Sequence, residues 1–268
     1  MTVINNADAV YLGGTAVDRV YLGSERVWPA FLPVDLFANS EKGAWYDPSD
    51  ISTLFQDAAG TTPVTVDGDP VGLMLEKSGN INNGTQSISS QRPIYTSASG
   101  LDFLFFDELG DYLLIPYMSG DFNNFVFSVA VNLETAADNN PRYFGLEAAG
   151  INLQCGYVND GTIFTRVDNT THATSSNISI GSTYVISHIR QAGVSSIRID
   201  GTDFSLGGSG PSANSEFTNT AVIGAGYEPG SFKMKGKMYG AIFRYGSITE
   251  TQLSGIDTYL AAISGVTL

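Results

Sequence analysis

The side chains able to do chemistry are few and stand apart. Glu41, Glu76, Glu108, Glu134, Glu147, Glu216, Glu228 and Glu250 are each isolated, so a pair of carboxyl groups fit for hydrolysis would have to form in space. A serine nucleophile needs a histidine base and a strained turn, and Gly-x-Ser-x-Gly does not occur. The two histidines read as structural: His172 in the loop Asn-Thr-Thr-His-Ala-Thr, and His188 partly buried in a strand with Ile186 and Arg190. With Cys155 they fall short of a four-ligand zinc site unless carboxylates join. No metal and no cofactor is expected, with one reservation. Calcium needs only loop oxygens, and Asp67-Gly68-Asp69, Asp138-Asn139-Asn140 and Asn159-Asp160 supply them, although each also reads as a plain turn. Sugar binding needs an aromatic platform with planar polar groups beside it. Tyr95, Tyr117, Tyr157 and Tyr227 lie near turns and are the candidates; the competing reading is that each covers an edge of the core.

Charge narrows the partners. Acidic residues outnumber basic ones 27 to 13, for a formal charge of −14 in 268 residues. That balance argues against a nucleic-acid footprint and against an anionic membrane surface. Cys155 is the one cysteine, so no intrachain disulfide forms, and its neighbours Leu153 to Tyr157 suggest a buried, inert thiol in a strand. The start, Met-Thr-Val-Ile-Asn-Asn, shows no signal peptide, and no apolar run reaches the roughly 18 residues of a membrane span.

The elements that must position these groups are mostly strands. Phe125–Leu133 is the clearest: Phe125, Phe127, Val129, Val131 and Leu133 share one face, while Val126, Ser128, Ala130 and Asn132 are smaller and more polar. Leu101–Phe106, Tyr143–Leu146, Ile151–Val158, Thr162–Val167, Thr183–Gln191, Ser195–Asp200 and Lys233–Tyr245 read as further strands. Residues 78–99 read as a long loop, and 207–215 as a mobile one. In the last strand Lys233, Lys235 and Lys237 fall on one face with Tyr239, Ala241 and Phe243. One segment reads as a long helix: Thr249-Glu250-Thr251-Gln252 is a capping box, Leu253, Ile256, Leu260 and Ile263 form a stripe, and Gly265 stops it. Many strands and one terminal helix predict an all-β antiparallel sandwich.

The first 32 residues read as a separate unit. Val10-Tyr11-Leu12-Gly13-Gly14 returns as Val20-Tyr21-Leu22-Gly23-Ser24, predicting a three-stranded meander over about Asp8–Leu12, Thr15–Leu22 and Glu25–Trp28. About thirty residues without cysteine cannot bury a core of their own. Val10, Tyr11, Leu12, Val20, Tyr21, Leu22, Val27 and Trp28 therefore need a partner surface, either the rest of the chain or another protein. Docking on another protein is the preferred reading, with Pro29, Phe31 and Pro33 as a stiff, extended connector.

The repeat and the following Glu25-Arg26-Val27-Trp28-Pro29 resemble the N-terminal module of many tailed-bacteriophage virion proteins, which precedes adhesin or decoration domains. A second resemblance lies further on. Ile197-Arg198-Ile199-Asp200-Gly201-Thr202 is similar to the strand, Asp-Gly, strand segment of laminin-G-like domains. The run from Phe232 through Gly236-Lys237-Met238-Tyr239-Gly240-Ala241-Ile242-Phe243 to Tyr259-Leu260 is similar to their final strand and helix. Together these imply a concanavalin A-like jelly roll over about residues 35–268. That group includes retaining glycosidases with Glu-x-Asp-x-x-Glu on one strand, a run absent here. The expectation is therefore a docking meander (1–32) and a sandwich (33–268) in a non-enzymatic virion protein: a tail fibre, head spike or capsid decoration. It would be made in the host cytoplasm, assemble with other virion proteins, form a homo-oligomer and meet host-surface glycan. The alternatives are pure structural decoration and a polysaccharide-degrading enzyme.

Overall fold

The structure, a computed structural model, describes residues 10–12, 15–17, 20–22, 25–28, 31–115, 120–121, 123–148, 151–167, 170–209, 220–226 and 231–268. Four short strands come first: β1 (Val10–Leu12), β2 (Thr15–Val17), β3 (Val20–Leu22) and β4 (Glu25–Trp28). β1 pairs with β2, and β3 with β4, both antiparallel. The expected three-stranded meander is thus two hairpins, and its middle strand is two strands. In sequence, Asp18-Arg19 puts two charges into that run, so neither face of it is continuously apolar. The connector also departs from expectation. Pro33–Phe37 is a 3-10 turn that buries Leu36 and Phe37. Phe31 packs on the C-terminal helix, where a Cβ at Gly255 would come within 2.5 Å of its ring.

The sandwich begins with β5 (Gly43–Tyr46), β6 (Leu54–Phe55), β7 (Leu73–Met74), β8 (Gly84–Thr85), β9 (Ile94–Ala98), β10 (Leu101–Asp107) and β11 (Leu113–Ile115). β12 (Phe125–Leu133), β13 (Arg142–Ala148), β14 (Ile151–Tyr157), β15 (Thr162–Val167) and β16 (Thr170–Asn177) follow. β17 (Thr183–Gln191), β18 (Val194–Ile199), β19 (Thr202–Ser209), β20 (Ala221–Ile223) and β21 (Lys235–Tyr245) lead to α1 (Glu250–Ser264). Three elements correct the sequence reading: β8 and β9 lie in the expected loop 78–99, and His172 is in strand β16.

Among the described residues the strands form two large antiparallel sheets. One runs β19-β18-β17-β12-β21-β10-β9, with β5 paired to the later part of β21. The other runs β16-β15-β14-β13-β20-β11-β8-β7-β6. The all-β antiparallel sandwich predicted from the strand pattern is what the chain forms. Phe125, Phe127, Val129 and Val131 of β12 meet Phe144, Leu146, Leu153 and Cys155 of the second sheet between the layers. Fully burying each such aliphatic or aromatic side chain contributes about 1.5–3 kcal/mol.

The other face of β12 is not solvated. Val126 and Ala130, with Val185, Ile189 and Ile242, pack under Leu253, Ile256 and Leu260 of α1. The helix starts as its capping box dictates: Thr249 Oγ1 accepts from the Gln252 N–H, and Gln252 Oε1 accepts from the Thr249 N–H. It stops at Gly265, in the left-handed region at φ 73. Arg198 ties helix to sheet, reaching Asp203 at 2.5 Å, Glu250 at 2.7 Å and Asp257 at 3.3 Å. No described helix is long and apolar enough to cross a membrane.

One expected face is broken by a bulge. β12 aligns Ala130 with Gly240 but Val131 with Met238, so β21 carries an extra residue there. Met238 and Ala241 therefore both face the inner core, and Tyr239 turns to the helix side. The single face predicted for Lys233 to Phe243 does not exist, because a one-residue slip exchanges faces.

Candidate functional site

The structure describes two of the four candidate tyrosines. Tyr95 is 5% exposed and its hydroxyl donates to Asp102 Oδ1 at 2.8 Å. Tyr157 is fully buried and donates to the Glu134 carbonyl at 2.6 Å. Both rings belong to the core and offer no platform, because each hydroxyl is spent inside. Tyr117 and Tyr227 lie outside the described residues. In the N-terminal unit Tyr21 and Leu22 are exposed, at 53% and 56%. Val10, Tyr11 and Leu12 lie on β1, Val20, Tyr21 and Leu22 on β3, and Val27 and Trp28 on β4.

An aromatic platform does exist, at a residue sequence reasoning missed. On the outward face of the second sheet the Arg142 guanidinium lies between two rings, 4.2 Å from the Phe164 centroid and 4.8 Å from that of Phe232. Phe232 is 40% exposed and forms the outer layer of this stack. Local structure holds each layer. Arg142 opens β13, where its N–H donates to the Phe232 carbonyl at 2.8 Å. Its Nε donates to Gln154 Oε1 on β14 at 2.8 Å, and Nη1 donates to the Asn140 carbonyl. Gly156, opposite Arg142, leaves room for the stack: a Cβ there would sit 2.7 Å from Phe164 and 2.9 Å from Arg142 Cδ. Phe232 holds φ +52, a left-handed value unusual for a bulky residue and costing about 1–3 kcal/mol. Cation–π stacking, worth about 0.5–2 kcal/mol per ring, offsets part of that strain.

Burial, chiefly, pulls the Arg142 guanidinium down to about 10; Asp138 opposes that and Arg166 adds to it. Arg142 is still charged at neutral pH. Arg166 stands opposite Gln154 on β15, and Lys233 follows Phe232 directly. The site is thus one exposed ring, Phe232, fixed from beneath by the buried Arg142 guanidinium and Gln154 amide, a flat apolar surface on which the face of a sugar could stack. The alternation of Phe164 and Arg166 on one face of β15 is legible in sequence. The approach of Phe232 from a distant loop is not.

Other polar clusters serve the fold. His188 is fully buried between the Tyr143 hydroxyl, 2.5 Å from Nε2, and Thr165 Oγ1, 2.6 Å from Nδ1; burial pulls it down to about 3. Cys155 is buried, and burial pushes its thiol well up. Asp111 accepts from the Asp107 N–H at 3.1 Å. Burial, above all, pushes the Asp111 carboxyl up to about 7; the Asp107 carboxylate adds to this and Lys233 opposes it. The candidate calcium loops use their oxygens on backbone N–H groups. Asp67 takes Ser97, Asp69 takes Thr65 and Val66, Asp138 takes Asn140, Asn159 takes Ala136 and Asp160 takes Thr162. Among the described residues no cluster of three potential metal ligands occurs.

No family model and no curated protein matches the chain. Solved structures do match its fold. A GH54 α-L-arabinofuranosidase, soaked with a cyclic sulfate inhibitor, superposes with a TM-score of 0.63 at 13% identity, covering 87% of this chain and 66% of that one. Domain 4 of AbnA, a GH43 extracellular arabinanase from Geobacillus stearothermophilus, in complex with arabinotriose, gives 0.56 at 14% identity, covering 81% and 100%. The Trypanosoma rangeli sialidase in complex with sialic acid gives 0.55 at 9% identity, covering 88% and 38%. The chain spans little more than a third of the sialidases it matches. At these identities the likeness is one of fold.

The expectation of a non-enzymatic protein is corrected by these neighbours. It rested on the virion resemblance, the isolated glutamates and the absence of Gly-x-Ser-x-Gly and Glu-x-Asp-x-x-Glu. Sandwiches of this shape stand in glycosidases, so the lack of that run does not set the chain apart from enzymes.

Proposed function

We propose that the chain is a carbohydrate-directed protein whose sandwich engages polysaccharide at the Phe232 platform, in the setting of polysaccharide degradation. The observation that carries this reading is the Phe164, Arg142, Phe232 stack: an exposed ring held rigid by the guanidinium beneath it. A preorganised ring loses little conformational freedom when a sugar lies on it. The arabinotriose complex of one fold neighbour supports the ligand class. The test is electrophoresis of the purified chain through gels containing arabinan, xylan, pectate or bacterial capsule, with reducing sugar measured in parallel. Retardation by at least one polysaccharide is expected, and release of reducing sugar from it assigns hydrolysis to this chain as well. Migration unchanged in every gel contradicts the reading.

A second reading is favoured by the exposed Tyr21 and Leu22 on hairpin β3–β4. Together with the Val-Tyr-Leu repeat, they support an N-terminal unit that anchors the sandwich to other virion proteins.

A further inference from the structure

A short chain of contacts joins the platform to a buried carboxyl group. Asp111 is 5% exposed, and its Oδ2 accepts from the Asp107 N–H at 3.1 Å. The Asp107 side chain accepts from the Leu109 N–H at 2.7 Å, and the Leu109 carbonyl accepts from Lys233 Nζ at 2.9 Å. Lys233 follows Phe232 and lies opposite Arg142 in an isolated bridge, while the Phe232 carbonyl accepts from the Arg142 N–H. The carboxyl and the exposed ring are therefore physically connected. The charged groups that face Asp111 are Asp107, from the end of β10, and Lys233, from the segment before β21. Glu108 is turned elsewhere, to Lys235 at 3.6 Å and to the Ala137 N–H at 2.6 Å. The other segments packed on this turn, Gln91 against Gly110 and Gly224 against the Asp111 carbonyl, bring no charge. Arg92, next to Gln91, is held on the Gln86 and Ser87 carbonyls.

With Asp111 protonated, this arrangement is satisfied. Once the proton leaves to solvent, two anions stand together in a nearly buried place. The cation that faces them is Lys233, and a carboxylate attracts an ammonium more strongly than a peptide carbonyl does. Phe232 is poorly placed to stay still when Lys233 moves. Its φ of +52 is strained and persists only while the surroundings hold it.

We propose that Asp111 is a proton-operated latch on the platform: its ionisation draws Lys233 off the Leu109 carbonyl, shifts Phe232 and weakens the stacking of a sugar. The binding half of this rests on the glycan reading above. By linkage, bound glycan favours the protonated carboxyl as much as the proton favours the glycan. Burial, with the Asp107 carboxylate adding to it, holds Asp111 up to about 7, which puts the change at neutral pH.

The experiment is nitrogen-15 NMR of the full chain from about pH 5.5 to about 8.5, a range that spans the ionisation. The Phe232 amide and the Arg142 Nε–H are followed, and gel retardation is measured at both ends of the range with the polysaccharide that retards the wild type. Both signals should titrate in the wild type with a midpoint at about 7 and stay flat in Asp111→Asn. They should also stay flat in Lys233→Met, which carries the same test should Asp111→Asn fail to fold. Affinity should fall about fivefold or more toward the alkaline end for the wild type and stay constant for both variants. Flat signals in the wild type, or a titration that survives either substitution, overturn the latch. Equal affinity at both ends while the signals move also overturns it and leaves the glycan reading standing. No retardation at any pH overturns the glycan reading and the binding half of the latch, and the signals alone then decide whether Asp111 moves the ring.

Discussion

Two buried titratable side chains give the protein opposing responses to pH. His188 is held neutral, down to about 3, against an unfolded value near 6.5. Between those values the unfolded chain binds more protons, so this group makes stability rise with pH and be lost as pH falls. Asp111 is held protonated, up to about 7, against an unfolded value near 3.9. Between those values the folded chain binds more protons, so stability falls as pH rises. From about pH 4.5 to 6.5 the two trends oppose, each with a limiting slope of about 1.4 kcal/mol per pH unit. Asp111→Asn removes the second and leaves the first. Unfolding free energies from urea titrations should climb more steeply with pH over that window for the variant than for the wild type, by roughly 2 kcal/mol across it. Parallel profiles would show that Asp111 does not hold its proton in the folded state. Neither group's environment was legible in the sequence. His188 was recognisable as structural from its neighbours Ile186 and Arg190, but Asp111 reads as a turn residue until Asp107 folds back onto it.

At the scale of elements, legibility followed local chemistry. The α1 helix came from a capping box, a stripe and a glycine, all between Thr249 and Gly265, and each forms as read. β12 came from nine residues of strict alternation. The bulge in β21 was invisible, because it is set by the register against β12 and not by β21 itself. β8 and β9 were missed because Ser, Asn and Gln dominate that stretch, and pairing with β11 and β10 overrides their weak strand preference. The N-terminal hairpins carry their own prediction. Tyr21 and Leu22 are exposed, and the edges of two-stranded sheets are open to pairing. If the N-terminal unit is a virion anchor, as proposed, deleting residues 1–32 should leave the thermal midpoint of the sandwich within a few degrees of the full chain and abolish incorporation into particles. Normal incorporation of the truncated chain would place docking elsewhere. Loss of folding would mean that Phe31, packed on α1, is part of the sandwich core.

For the whole molecule, the layers decide where a ligand can sit. One sheet has its outward face closed by α1; on the other, the Phe164, Arg142, Phe232 stack lies on the outward face. The fold class was readable because strand number and spacing are properties of the whole chain. The site was not, because Arg142, Phe164 and Phe232 meet only when β13, β15 and the loop before β21 come together. The most direct measurement is retardation of Phe232→Ala in the polysaccharide gel that retards the wild type, with Val66→Ala, another exposed apolar position at 59%, as control. Loss of one stacking ring should cost about 1–3 kcal/mol of binding, a weakening of roughly tenfold or more. The account predicts that Phe232→Ala migrates as though no polysaccharide were present while Val66→Ala is held back like the wild type. Equal retardation of wild type and Phe232→Ala, both folded by thermal melting, would contradict it.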